Sequence, residues 1–251
     1  MDDRSVVVVV PTYNERDNLG PLAERVLALG DAYRLIVVDD ASPDGTGALA
    51  DELARTHPGR VDVIHRCRKQ GLGPAYIAGL GAALATGAGV IVHMDADLSH
   101  NPDDVPRLVA ATAAADLVLG SRYVPGGGTV GWPLGRKALS RLGGRYARAV
   151  LGAPIHDLTG GFKAWRRETL AALDLPAMRA DGYGFMIETT WRALQRGARV
   201  TELPIVFTDR IAGASKLSRR IVLEAAILVW QLRFEARRGA ESGRPTHDDA
   251  A

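Results

Sequence analysis

Five consecutive valines, Val6 to Val10, run straight into Pro11. A strand with one wet face alternates apolar and polar residues, and this run leaves no position for a polar face. It therefore predicts a strand covered on both sides, as in a parallel sheet flanked by helices. The chain that follows keeps that alternation. Leu19 to Leu29 has apolar residues at helical spacing (Leu19, Leu22, Val26, Leu29),. Leu35–Val38 reads as a second strand, followed by a helix through Leu53 that Thr46 can cap. Val61–Ile64 is a third strand, followed by a helix through Leu84. Val90–Val92 is a fourth, followed by a helix from Val105 to Ala113, and Leu117–Gly120 a fifth. Val200–Val206 adds a strand that Pro204 assigns to a sheet edge,. The fold class expected is α/β, with a mostly parallel central sheet.

Composition narrows the class. The chain has 251 residues, 47% hydrophobic and 24% charged, enough for a sizeable core,. Residues 1–238 are expected to form one domain, and the small polar residues 239–251 a disordered tail,. A net charge of +2 gives no overall field for nucleic acid, so none is expected as a partner,. The single Cys67 excludes an internal disulfide and fits a reducing, cytoplasmic compartment,. No leader is expected, since Asp2-Asp3 precede the valines, and no segment approaches the roughly 20 apolar residues that span a bilayer,.

In open parallel sheets, ligands bind at the carboxyl ends of the strands. The densest polar chemistry of this chain lies at those ends. His93-Met94-Asp95-Ala96-Asp97-Leu98-Ser99-His100-Asn101-Pro102 follows the fourth strand. If the extended geometry persists, Asp95 and Asp97 share one face, and two converging carboxylates call for a hard divalent cation. A polar loop in which Ser99 or Asn101 caps a helix fits the same residues. Pro11-Thr12-Tyr13-Asn14-Glu15 follows the first strand and Asp39-Asp40 the second, either as ligand contacts or as turn and cap residues. Gly71 and Gly73 allow close backbone approach to a ligand,. There is no GxGxxG and no GxxxxGK[ST], which argues against a dinucleotide-binding enzyme and a P-loop ATPase,. Arg122 suits a phosphate or a structural ion pair, and Gly126–Gly128 should be mobile,. Arg210 and Lys216 flank a glycine-containing loop that could clamp phosphates. Arg136, Lys137, Arg141, Arg145 and Arg148 form a basic stretch without an acid between them. The segment from Ile221 to Phe234 is apolar almost all round, and Arg233, Arg237 and Arg238 lie at its end. The two segments read either as a solvated face and core packing, or as a dock for an anionic lipid surface.

Val-Pro-Thr-Tyr-Asn-Glu at 10–15, Asp-Asp-Ala-Ser-Pro-Asp-Gly-Thr at 39–46 and Met-Asp-Ala-Asp-Leu-Ser-His at 94–100 occur in the order seen in inverting family 2 glycosyltransferases with the GT-A fold. Gly-Ser-Arg-Tyr at 120–123, Asp-Leu-Thr-Gly-Gly-Phe at 157–162 and Asp-Arg…Gly-Ala-Ser-Lys at 209–216 narrow the likeness. The chain resembles polyprenol- and dolichol-phosphate mannose synthases over about residues 5–235. That resemblance implies a GT-A-type, Rossmann-like nucleotide-sugar fold. It also implies GDP-mannose as donor, a polyprenyl phosphate as acceptor and Mg²⁺ or Mn²⁺ as cofactor. Pro11, Tyr13, Glu15, Val38 and Asp40 match nucleotide-binding positions, and Asp95, Ala96 and Asp97 the donor and metal site. Asp97 is the best-matched metal ligand, and Ser99 stands where some relatives carry a coordinating Gln. Arg122, Arg210 and Lys216 match positions that contact donor or acceptor phosphates. Asp97 and Arg122 are the residues expected to carry the chemistry. The same site could take UDP-glucose or another nucleotide sugar, and a silent nucleotide-sugar-binding scaffold is the rival from another class. The resemblance is to members without terminal transmembrane helices, so the chain is expected at the cytoplasmic membrane face. It would be held there by its own basic and apolar helices or by a membrane-protein partner.

Overall fold

The computed structural model describes residues 5–209 and 226–235. Nine strands run in chain order: β1 (Val6–Thr12), β2 (Tyr33–Asp39), β3 (Val61–His65), β4 (Val90–His93), β5 (Leu117–Ser121), β6 (Gly128–Val130), β7 (Lys163–Arg166), β8 (Val200–Pro204) and β9 (Val206–Thr208). The helices are α1 (Arg16–Ala28), α2 (Thr46–Thr56), α3 (Leu72–Ala85), α4 (Val105–Ala111), α5 (Leu134–Leu151), α6 (Arg167–Ala171) and α7 (Tyr183–Gln195). Residues 226–235 are helical and are called α8.

The main sheet has the order β3-β2-β1-β4-β7-β5-β8, and β6 pairs with β9 apart from it. All neighbours in the main sheet are parallel except β7, which runs antiparallel to both β4 and β5. The valine run behaves as its composition demands. Val7 and Val9 pack with Ile36 and Val38 against Tyr76, Leu80 and Phe185 on one side. Val6, Val8 and Val10 pack with Leu35 and Val37 against Leu19, Leu22 and Leu108 on the other. Each buried valine is worth about 2 kcal/mol by transfer from water. β8 is an edge strand, as Pro204 requires.

Four local expectations are corrected. β4 stops at His93, so Asp95 and Asp97 lie in a bend rather than on one face of an extended strand. Leu98, with φ of 59°, turns the chain there. Gly126–Gly128 is packed into the fold. Gly128 pairs with Val206, and a Cβ on Gly127 would lie 2.5 Å from the Ser121 carbonyl oxygen. Gly71 and Gly73 make room for the chain itself, since a Cβ on Gly73 would lie 2.6 Å from the Ala180 carbonyl oxygen. The Gly73 N–H donates to Asp181 Oδ1 at 2.6 Å. Thr46 begins α2 rather than capping it. Its hydroxyl donates to Asp44 at 2.6 Å and accepts the Glu15 N–H at 3.0 Å.

Strand β7 was not anticipated. Lys163 sits at its start, opposite His93, with no exposure to solvent. Its Nζ donates to the Met186 carbonyl at 2.7 Å and to the hydroxyls of Thr190 at 2.9 Å and Thr189 at 3.1 Å. Burial lowers the Lys163 pKa to about 7, against an opposing pull from Asp157. Between about pH 7 and 10.5 the unfolded chain therefore binds a proton that the folded chain has released, and stability from this group rises with pH,. Wild-type protein should gain stability relative to Lys163→Met across that window, measured by urea unfolding at pH 6.5, 8 and 9.5. Parallel pH profiles for the two proteins would contradict the assignment.

Candidate active site

The loops after β1, β2, β4 and β5 gather at the carboxyl edge of the sheet. Among the described residues, three non-glycine residues adopt a left-handed backbone: Asn14, Ala41 and Leu98. One lies in each loop after β1, β2 and β4. Such strain costs on the order of 1–2 kcal/mol per residue and concentrates where a ligand must be met.

The loop after β4 is built inward. The Ser99 N–H and hydroxyl both donate to Asp97 Oδ1, at 3.1 and 2.5 Å. Asp97 is only 7% exposed, so this pair of donors fixes its orientation. The hydroxyl expected among the metal ligands donates its hydrogen to the carboxylate beside it, which leaves its oxygen lone pairs unused by that bond,. Asp95 is more open, with a side chain 27% exposed. Its Oδ1 accepts from the Tyr76 hydroxyl at 3.2 Å, and its N–H donates to His100 Nδ1 at 3.2 Å. That Nδ1 therefore carries no proton, and its 3.7 Å approach to Asp95 Oδ2 is not an ion pair,. Burial pushes the His100 pKa down and outweighs the upward pull of Asp95 and Asp97. Burial, then Asp95, then Asp97 hold the Tyr76 phenol far above its ordinary range. Both carboxylates thus act on the same two rings, Tyr76 and His100. The cap reading also holds, since the Asn101 side chain accepts from the Asp103 N–H ahead of Val105.

Arg122 is 6% exposed at the end of β5. Its Nε and Nη2 donate to the two oxygens of Asp157, both at 2.7 Å, and Nη2 also reaches Thr159 Oγ1 at 2.9 Å. Burial works against both charges. The pair outweighs it, holding Asp157 below the carboxylate range and Arg122 above its own. Arg122 is thus part of a buried ion pair as well as a phosphate candidate. Thr159-Gly160-Gly161 runs from this pair to the acidic loop, and a Cβ on Gly161 would lie 3.4 Å from Asp95 Oδ1.

On the nucleotide side, Asp40 is ion-paired with Arg66 and accepts the Gln70 N–H at 3.2 Å. Asp39 accepts from Thr12 and Ser42, which makes it a brace for the loop. Lys69 Nζ stands 3.6 Å above the Tyr13 ring. Glu15 accepts from Asn18 at 2.8 Å. Pro11, Val38 and Ala96 are buried, Pro11 opposite Val38 in the β1–β2 register. Arg210 and Lys216 lie outside the described residues, as do residues 239–251.

A cavity of about 440 Å³ lies between α5, α7 and α8, lined by Leu139, Leu142, Tyr183, Ile187 and Val229. Arg136 and Thr159 line it on its polar side. Arg136 stacks 4.1 Å over Trp132 and pairs with Asp209 at 2.8 Å. Trp132 meets Phe207 edge-on, and Phe207 meets His100 edge-on, at 5.4 and 5.2 Å between centroids. One aromatic chain thus ties the basic helix to the acidic loop. Around the cavity Leu134 (84%) and Leu142 (62%) are exposed, together with Ile227, Trp230 and Phe234.

The donor set fits a hard cation. Among the described residues no group of three or more His, Cys, Asp or Glu surrounds a common point. Asp95 and Asp97 would supply two carboxylates, and substrate phosphate and water would complete the shell, as they usually do for Mg²⁺.

Residues 7–173 match the sequence profile of Glycosyl transferase family 2. The chain belongs to that family. Over 230 residues this glycosyltransferase is 50% identical to polyprenol monophosphomannose synthase of Mycolicibacterium smegmatis, covering 90% of this chain and 87% of that one. It is 47% identical to undecaprenyl-phosphate mannosyltransferase of Micrococcus luteus over 232 residues, 92% of this chain and 95% of that one. Its fold is of the GT-A type. The structure of glucosyl-3-phosphoglycerate synthase from Mycobacterium tuberculosis with Mn²⁺, UDP and glucosyl-3-phosphoglycerate superposes with a TM-score of 0.65, at 24% identity over 92% of this chain and 80% of that one. No helix among the described residues of this family 2 enzyme is long and apolar enough to cross a membrane.

The sequence had pointed to Asp95, Asp97 and Arg122, and all three come to the same edge. It did not point to Tyr76, His100 or Asp157 as their partners. Tyr76 carried no signal, because helical spacing marks it only as a core position.

Proposed function

We propose that this enzyme transfers mannose from GDP-mannose to a polyprenyl phosphate at a membrane surface, with inversion and with the help of Mg²⁺ or Mn²⁺. The observation that carries the reading is the apolar cavity with Arg136 and Thr159 in its lining, joined to the acidic loop through Thr159-Gly160-Gly161, where a Cβ on Gly161 would lie 3.4 Å from Asp95 Oδ1. An acceptor with a hydrocarbon tail and a phosphate head needs those two surfaces in contact. The mannosyltransferases that this chain resembles at 50% and 47% identity are named for polyprenol and undecaprenyl phosphate.

Asp97, locked by Ser99, and Asp95 would hold the divalent ion. When bound, that ion supplies Lewis-acid stabilisation of the departing diphosphate. The acceptor phosphate is already ionised at neutral pH, so no general base is assigned. Arg136, and Arg122 through Nη1, the nitrogen not engaged by Asp157, orient that phosphate against the anomeric carbon. Arg210 and Lys216 are assigned to the substrate phosphates on the resemblance alone. In-line attack on an α-linked donor gives a β-linked product. The exposed leucines of α5, Trp230 and Phe234, with Arg141, Arg145 and Arg148 nearby in sequence, form the surface that meets anionic lipid,.

Two measurements test the reading. With Mn²⁺ present, GDP should compete for the site more strongly than UDP in calorimetry, and the reverse order would replace the donor. Leu142→Asp with Trp230→Asp should weaken sedimentation with anionic vesicles about tenfold and leave GDP affinity unchanged. Undiminished vesicle binding would remove this surface from the account.

A further inference from the structure

We propose that Tyr76 is a positioning residue, whose hydroxyl sets the orientation of the Asp95 carboxylate for the cation and the donor diphosphate. The inference rests on the metal-assisted reading above and names a residue that this reading does not require.

Tyr76 has no exposure to solvent. Its ring stacks on Phe185 at 5.8 Å and leans on His93 at 4.7 Å. A phenylalanine would pack there equally well, so packing does not account for the hydroxyl. A buried hydroxyl destabilises unless it is bonded, and this one donates to Asp95 Oδ1 at 3.2 Å,. Among the described residues it is the one side chain that donates to that carboxylate. His100 holds the backbone of Asp95 through its N–H and leaves the side chain to Tyr76.

The helix that carries Tyr76 is itself fixed at two points. Gly79, one turn further on, lies against β1 and β2, where a Cβ would fall 2.8 Å from Val38 Cγ2. Only glycine lets α3 approach the sheet so closely. At the start of α3, Asp181 Oδ1 accepts the Gly73 N–H at 2.6 Å. Tyr76 lies between these two anchors, so its hydroxyl is offered from a rigid element. Partners that orient a metal-binding carboxylate typically change metal affinity or activity by about 10- to 100-fold.

The test compares wild type, Tyr76→Phe and Phe185→Leu as full-length proteins. Mn²⁺ binding is read by electron paramagnetic resonance with GDP present, alongside steady-state kinetics and thermal unfolding. Tyr76→Phe should bind Mn²⁺ about tenfold more weakly and lose about tenfold in kcat, with the KM for lipid acceptor unchanged. Phe185→Leu should unfold at lower temperature yet keep wild-type Mn²⁺ affinity, because it loosens the ring and spares the hydroxyl. Wild-type Mn²⁺ affinity in Tyr76→Phe would overturn the inference and leave the metal reading standing. Equal Mn²⁺ losses in both variants would overturn it too, by assigning the effect to packing. Failure of the wild type itself to bind Mn²⁺ would overturn the metal reading and this inference with it.

Discussion

Asp97→Ala is expected to abolish mannosyl transfer, lowering kcat by at least about 10³-fold. Charge grows on the donor diphosphate as the glycosidic bond breaks, and on the proposed reading Asp97, buried and held by Ser99, would hold the ion that offsets it. Its Oδ1 takes both Ser99 donors, at 3.1 and 2.5 Å, so alanine would also leave two buried donors unmatched. That costs about 1–3 kcal/mol of stability. Asp97→Asn separates the two effects. The amide oxygen can still accept from Ser99, while the negative charge is gone. This variant should unfold near the wild-type temperature and still be inactive. Turnover close to wild type in Asp97→Asn would remove the residue from the chemistry.

The second large effect is on stability. Arg122 and Asp157 form a bidentate pair with both side chains out of solvent, 5% and 0% exposed. Removing one partner from such a pair leaves a buried charge uncompensated and typically costs 3–5 kcal/mol, here about 10 °C in Tm. Arg122→Met and Asp157→Asn should each reach that range in urea unfolding. The double variant should be less destabilised than the sum of the two by about 2 kcal/mol, since neither charge is then left alone. Additive losses would mean that the pair is not coupled. Arg122→Met should also be inactive in folded protein if Nη1 meets the acceptor phosphate.

The β1, β2, β4 and β5 cores were legible because short apolar runs bounded by polar turns and buried on both faces have few other readings,. β7 was not. Lys163-Ala164-Trp165-Arg166 opens with a lysine whose burial depends on Met186, Thr189 and Thr190, more than 20 residues away. Antiparallel insertion between β4 and β5 leaves no local trace either. The site divides in the same manner. Asp95, Asp97 and Arg122 stood out because carboxylates and an arginine at strand ends are chemically conspicuous. What holds them was hidden, since Asp157 lies 35 residues from Arg122 and Tyr76 lies 19 from Asp95. Ser99 was conspicuous only as a motif position, and its hydrogen bond to Asp97 shows in the fold alone. The glycines at 71 and 73 were read as room for a ligand, and Asp181 from a distant loop fills that room.

The most direct test is transfer of radiolabelled mannose from GDP-mannose to a short polyprenyl phosphate by purified protein, with and without EDTA. A labelled, organic-extractable product that EDTA suppresses and added Mn²⁺ or Mg²⁺ restores is the expected result. Product formation from UDP-glucose and none from GDP-mannose, or transfer that EDTA leaves untouched, would contradict it.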